Sequence, residues 1–270
     1  MGYQFVRVDQ ADGIVTVRID DPDAKNAVNH VMNRELAEEC QRIDADPTAR
    51  VLVLTGEGRI FCSGGNIRKM TADGKSLEPP APTLRDEMYP HEADIRRVVV
   101  GLRRMSKPAI AAVNGPAVGS GIGLAAGCDI RIASRAARFA WVFVRRGIVP
   151  DDASLALMAQ LIGYARAFEW GVRGATLSAE EAERIGFVSE VVEPDRLLPR
   201  CREIAKEIID HGPPITVQLF KLALAEALEQ DLDTAVRFTA GAQKLSRATA
   251  DHTEALRAYV EKRPPRWTGR

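Results

Sequence analysis

The stretch Asn114-Gly115-Pro116-Ala117-Val118-Gly119-Ser120-Gly121-Ile122-Gly123-Leu124-Ala125-Ala126-Gly127-Cys128-Asp129 decides the architecture. It is entered from the apolar run Ala109-Ile110-Ala111-Ala112-Val113, which has the continuous hydrophobicity of a strand buried on both faces. The order predicts that strand, then a tight glycine-rich turn, then a helix opening near Ser120. Glycines at 115, 119, 121 and 123 remove side chains where backbone bends sharply or lies close to another group. The first turn of a helix presents unpaired N–H groups at the positive end of its dipole, which suits an anion, either a phosphate or a transient oxyanion. A turn that only lets a helix pack onto a sheet explains the same glycines. Two nucleotide readings are weak. Gly119-Ser120-Gly121-Ile122-Gly123 superficially matches a dinucleotide fingerprint, but no acidic residue closes a second strand about 20 residues on. The run also lacks lysine, so it is not a Walker phosphate loop.

The rest of the chain bounds the answer. With 270 residues and 46% hydrophobic composition, it can bury one large core, or a core with an appended helical piece. Lys+Arg and Asp+Glu both count 37, which gives no nucleic-acid footprint; the basic tail Glu261–Arg266 is the local exception. There is no run of about 18 apolar residues and no signal-peptide pattern at the start. Cys40, Cys62, Cys128 and Cys201 lie far apart with no CxxC pair, which suggests neither a disulfide framework nor a metal site. The expectation is a soluble protein of a reducing, cytoplasmic compartment.

Taken in order, Phe5–Val8 and Ile14–Ile19 alternate around Ala11-Asp12-Gly13 and predict a hairpin. A polar loop, Asp20–Ala27, precedes a helix from about Asn29 to Ala45, capped by Asn29 and striped by Met32, Leu36, Cys40 and Ile43. Val51–Thr55 reads as a second buried strand, followed by another glycine-containing bend at 63–66 that enters a short helix. Asp73–Pro90 has no period and reads as a long loop of the kind that covers a site. A helix from about Glu92 to Met105 leads to the central strand. Ile130–Ala133 and Arg138–Trp141 are extended. The loop Arg145–Ser154 then delivers Asp151 and Asp152 to the start of a helix at Leu155–Ile162. Ser178 and Glu181 form a capping-box pattern, Phe187–Val192 is a strand, and the chain is helical from Leu197. Alternating strands and helices predict an α/β core with right-handed crossovers. Both glycine-rich bends then lie at the carboxyl ends of their strands, where ligands bind.

Six segments, in this order, are similar to the crotonase (enoyl-CoA hydratase/isomerase) superfamily over nearly the whole length. They are Asp21–Ala27, Leu54–Gly58, Phe61–Ile67, Lys107–Gly115, Gly119–Gly121 and Cys128–Ala133, with Glu261–Pro265 fitting as well. The resemblance implies a crotonase-like spiral of ββα repeats over residues 1–196, with a helical trimerisation region over 197–270. It implies assembly as a homotrimer or a hexamer (a dimer of trimers), and an acyl-CoA ligand, with coenzyme A entering as part of the substrate. By motif position, the thioester oxygen would accept hydrogen bonds from the backbone N–H groups of Gly65 and Ser120. Enolate formation beside a thioester puts negative charge on that oxygen, and donors fixed in advance stabilise it without reorganising. Lys25, Ala27, Asn66 and Ile67 would contact the coenzyme, with Lys262 of a neighbouring subunit near a phosphate. Met70, Gly123 and Phe143 would line the acyl pocket.

The departures from the family pattern are informative. Hydratases of the family carry two glutamates that handle water and the α proton, and these belong at Gly123 and Phe143 in this sequence. Neither residue is acidic, so the paired-carboxylate addition of water cannot be written. Asp151 stands where family members with isomerase or hydrolytic chemistry place an acid facing the acyl chain. With Gly123 and Phe143 apolar around it, desolvation would suit Asp151 to a proton shuttle. Asp152 is expected to cap the helix, and His91 is a further acid/base candidate. The simplest reading is a double-bond isomerase acting on an acyl-CoA. The alternatives are a catalytically degenerate acyl-CoA-binding protein and a hydratase working without the usual glutamates. No metal is implied.

Overall fold

The computed structural model describes residues 2–65 and 95–270. The expected loop at 73–90, the short helix after Gly65 and the first residues of the helix expected from Glu92 lie outside the described residues. Two strands, β1 (Val6–Ala11) and β2 (Ile14–Ile19), form the predicted antiparallel hairpin. Asp12 and Gly13 turn it with φ of 54° and 78°, the left-handed pair that matches strand twist in a tight hairpin. The helix α1 (His30–Ala45) follows, and Asn29 caps it by accepting from the amides of Val31 and Met32, both at 3.0 Å. Its predicted apolar stripe is buried.

The sheet is then extended in parallel by β3 (Val51–Gly56), β4 (Ala109–Val113), β6 (Ile130–Ser134) and β9 (Glu190–Val192), in the order β1-β2-β3-β4-β6-β9. Because side chains alternate along a strand, these near-continuous apolar strands serve two cores. Leu52, Leu54, Ala111 and Val113 face one core with α1, with α2 (Ile95–Arg104) and with α3 (Ser120–Gly127). Val51, Val53, Ile110, Ala112 and Ile132 face the other, against Leu197, Cys201 and Ala205 of α7 (Leu197–His211). The first helix of the C-terminal third therefore seals the sheet.

A second sheet was only half legible in the sequence. It joins β5 (Ala117–Val118), β7 (Arg138–Ala140) and β8 (Thr176–Ser178) in the order β5-β7-β8. The turn between β4 and α3 thus contains a two-residue strand, which pairs in parallel with β7. After β7, a 3₁₀ turn at Phe143–Arg146 leads to α4 (Ser154–Ile162) and α5 (Tyr164–Arg173). The predicted capping box opens α6 (Ala179–Arg184). Helix α3 lies against both α2 and α4.

Three further helices, α8 (Pro214–Ala227), α9 (Leu232–Arg247) and α10 (Ala250–Glu261), complete the chain. One buried cation ties them to the core. Lys221 Nζ donates to the carbonyls of Leu102 and Lys107, both at 2.9 Å, and lies 2.8 Å from Asp129 Oδ2. With all three donors used, the ammonium is satisfied although the side chain is buried. The same helices leave Phe220, Leu224, Leu232 and Val236 exposed on the single chain.

Candidate active site

The two glycine-rich bends are neighbours. Cys62 pairs with Ala117 as an isolated parallel bridge. The Cys62 amide donates to Pro116 O at 3.1 Å, and the Val118 amide donates to Cys62 O at 2.9 Å. Just beyond, Gly64 and Gly119 both have positive φ, 82° and 53°. Their approach is too close for side chains, since a Cβ on Gly64 would meet Val118 O at 2.6 Å. Each bend therefore turns directly against the other and carries the chain into Gly65 and Ser120. Gly119 is the N-cap of α3 and Ser120 its first residue, so the Ser120 amide has no acceptor within the helix. The Gly65 amide donates to no other backbone group among the described residues.

The polar loop Asp21–Ala27 abuts the first bend. The Val28 amide donates to Gly64 O at 2.9 Å, and Asn26 Nδ2 donates to Ile60 O at 2.7 Å and Glu57 O at 3.1 Å. Asn26 is thus a buried anchor, and Lys25, held at φ 57° beside it, is exposed. Ala27 is buried. Lys262 is exposed at the end of α10, far along the chain. Asn66, Ile67, Met70 and His91 lie outside the described residues.

The two aspartates have surroundings opposite to those the sequence suggested. Asp151 is exposed, whereas Asp152 is 0% exposed. Asp152 is only in part a helix cap: Oδ1 accepts from the Ser154 amide at 3.2 Å, while Oδ2 is buried with no partner among the described residues. The N-cap residue itself is Ala153, in the left-handed region at φ 63°, a conformation that costs a non-glycine residue about 1–2 kcal/mol. Ser154 is held in turn by the Trp141 indole, whose Nε1 donates to Ser154 Oγ at 3.0 Å. Burial raises the pKa of Asp152 above the usual carboxylate range; bonds to Ser154 oppose the shift and the neighbouring Asp151 adds to it. The same acid lies near Cys62, whose thiol burial pushes up to about 12, so that sulfur is no nucleophile at neutral pH.

The space beside Gly123 is therefore not open. A Cβ there would lie 2.5 Å from Asp152 Oδ2 and 2.9 Å from its Cγ. Sequence reasoning placed an apolar gap at this point, and the structure puts a carboxyl in it. The missed signal was a contact between a helix and a loop 29 positions away in sequence, for which no local spacing exists. Phe143 does line an apolar cavity of about 550 Å³, with Trp141, Leu155, Tyr164 and Phe168. Among the described residues its ring is also the side chain nearest Gly119, 4.0 Å from where a Cβ would stand. Among the described residues no cluster of acids, histidines or cysteines could hold a metal ion, and no helix is long and apolar enough to cross a membrane.

The chain is similar to known proteins over nearly its whole length. A family model described as Enoyl-CoA hydratase/isomerase matches residues 9–270. The 1,2-epoxyphenylacetyl-CoA isomerase of Escherichia coli (strain K12) is 33% identical over 267 residues, covering 99% of this chain and 99% of that protein. The crotonyl-CoA hydratase of Syntrophomonas wolfei is 33% identical over 264 residues, 97% of each chain. A crystal structure of an enoyl-CoA hydratase from Bacillus anthracis superposes with a TM-score of 0.89 at 30% identity, covering 99% of this chain and 100% of that one. The relatives' names thus include both an isomerase and a hydratase.

Proposed function

The chain belongs to the enoyl-CoA hydratase/isomerase family and is an enzyme of that group acting on an acyl-CoA, and from that premise we propose that it moves a double bond within the acyl chain. The reaction begins with loss of a proton from the α carbon. The charge that develops on the thioester oxygen is received by the amides of Gly65 and Ser120, and Asp151 carries the proton. Coenzyme A is part of the substrate, with Lys25, Ala27, Asn66 and Ile67 around the adenine, and Lys262 of a neighbouring subunit of a trimer or hexamer at a phosphate. Met70 and Phe143 bound the acyl group.

One observation carries the choice of isomerisation over hydration. The positions where hydratases of this family hold glutamates are Gly123 and Phe143, so no carboxylate pair on those elements can activate water. The close packing of the two bends supports the oxyanion site. The Ser120 amide opens a helix, at the positive end of its dipole, and Gly64 and Gly119 keep side chains out of the space between the bends. The residues 1–196 would form the catalytic core and 197–270 the assembly region, whose exposed apolar residues on α8 and α9 suit burial between copies.

But-3-enoyl-CoA and crotonyl-CoA separate the readings. The enzyme should convert the first into the second and, given crotonyl-CoA alone, add water to it slowly or not at all. Rapid hydration with no isomerisation would replace this reading by an unorthodox hydratase.

A further inference from the structure

Asp152 sits where the family's helix-borne acid is missing. Gly123 is three residues beyond Ser120 on α3, so the two share a face of the helix, with a rise of about 4.5 Å between them. That separation is comparable with the span from the thioester carbon to the γ carbon of an acyl chain laid along the helix. The Gly123 end of this face is occupied by Asp152 Oδ2, which would stand 2.5 Å from a Cβ at 123. The atom is buried and has no partner among the described residues, while its sister Oδ1 is held by the Ser154 amide. Leaving a polar atom in that state costs about 1–3 kcal/mol, and a chain under selection for stability alone would fill the place with an apolar side chain. The strained Ala153 and the Trp141–Ser154 bond fix the carboxyl where it is.

We propose that Asp152 is a catalytic acid of this enzyme: a carboxyl moved from the helix to the facing loop, which delivers a proton to the γ carbon of the bound acyl group. The inference rests on the isomerase reading above. In that scheme Asp151 takes the α proton, and the C–H electron pair passes into the enolate, whose charge rests on the thioester oxygen. Collapse of the enolate forms the α,β double bond as the β,γ double bond takes the proton from Asp152 Oδ2. Asp151 then holds one proton and Asp152 none, and transfer between these adjacent residues restores the start. Atoms and charge balance with no water consumed. Burial and the like charge of Asp151 both favour the protonated form of Asp152 that donation needs.

The test compares two readouts on Asp152→Asn, using the whole enzyme. α-Deuterium exchange into butyryl-CoA in heavy water needs only Asp151 and the two amides, whereas conversion of but-3-enoyl-CoA also needs the acid. The variant should keep exchange within about threefold of wild type and lose about 100-fold or more of isomerisation. Isomerisation within about threefold of wild type, or an equal fall in both readouts, overturns the role of Asp152. A second pair guards against misfolding. Asp152→Ala combined with Gly123→Glu returns a carboxyl to the helix and should isomerise at least about tenfold faster than Asp152→Ala with Gly123→Gln; equal rates overturn the proposal. A wild-type enzyme that neither exchanges nor isomerises would instead remove the isomerase reading itself.

Discussion

Replacing Ser120 by proline is expected to lower kcat/KM by about 10²- to 10³-fold, equivalent to about 3–4 kcal/mol, the loss seen when one oxyanion donor is removed. The substitution deletes the donor and spares the helix. Ser120 is the first residue of α3, the position at which proline is best tolerated, because its missing N–H would have no helical acceptor. The residue before a proline is ordinarily restricted to extended backbone. Gly119, at φ 53° and ψ −117°, occupies the mirror image of that region, which glycine alone enters freely. Thermal melting should therefore change little while turnover collapses. An unaltered rate would mean that the Ser120 amide does not face the developing charge.

The second large effect is expected at Asp151. Changing it to asparagine keeps the shape and removes the proposed base, and the loss of a positioned acid or base typically costs about 10²- to 10⁴-fold in rate. Because the residue is exposed, the fold should be nearly indifferent, within about 0.5 kcal/mol. Binding of acyl-CoA, measured by calorimetry with butyryl-CoA, should also persist, since the coenzyme contacts proposed above lie on the Asp21–Ala27 loop and its neighbours. Full turnover in Asp151→Asn would transfer the proton step to another group, and weakened binding with normal turnover would make Asp151 a contact for the coenzyme instead.

The parts of the molecule that were legible in the sequence are those governed by local rules. The apolar run at 109–113, the helix beginning at Ser120 and the Asn29 cap each follow from spacing that needs no partner. The box of Ser178 with Glu181 does too, its two bonds running between residues three apart. The elements missed include the helix at Tyr164–Arg173 and others made by distant contacts. A two-residue strand at Ala117–Val118 has no period to detect and exists because β7 pairs with it. The 3₁₀ turn at Phe143–Arg146 likewise follows no hydrophobic repeat. Most instructive are the two aspartates. Both follow Pro150, and it is Asp152, expected only to cap the helix, that meets the glycine on α3. Gly123 and Asp152 meet in space, and nothing in the sequence links the two positions. Motif position proposes Gly65, Ser120 and Asp151 for the site, whereas the burial of Asp152 follows from no motif.

Enolate formation can be observed apart from every later step by following hydrogen exchange at the α carbon of butyryl-CoA in heavy water, by mass spectrometry or proton resonance. Two amides from neighbouring bends holding the thioester oxygen should let the wild-type enzyme exchange this saturated substrate well above the spontaneous rate, and Ser120→Pro should bring the rate down by about 10²-fold or more. Exchange that proceeds equally well in Ser120→Pro, or no exchange in the wild-type enzyme, would contradict an enolate held between Gly65 and Ser120.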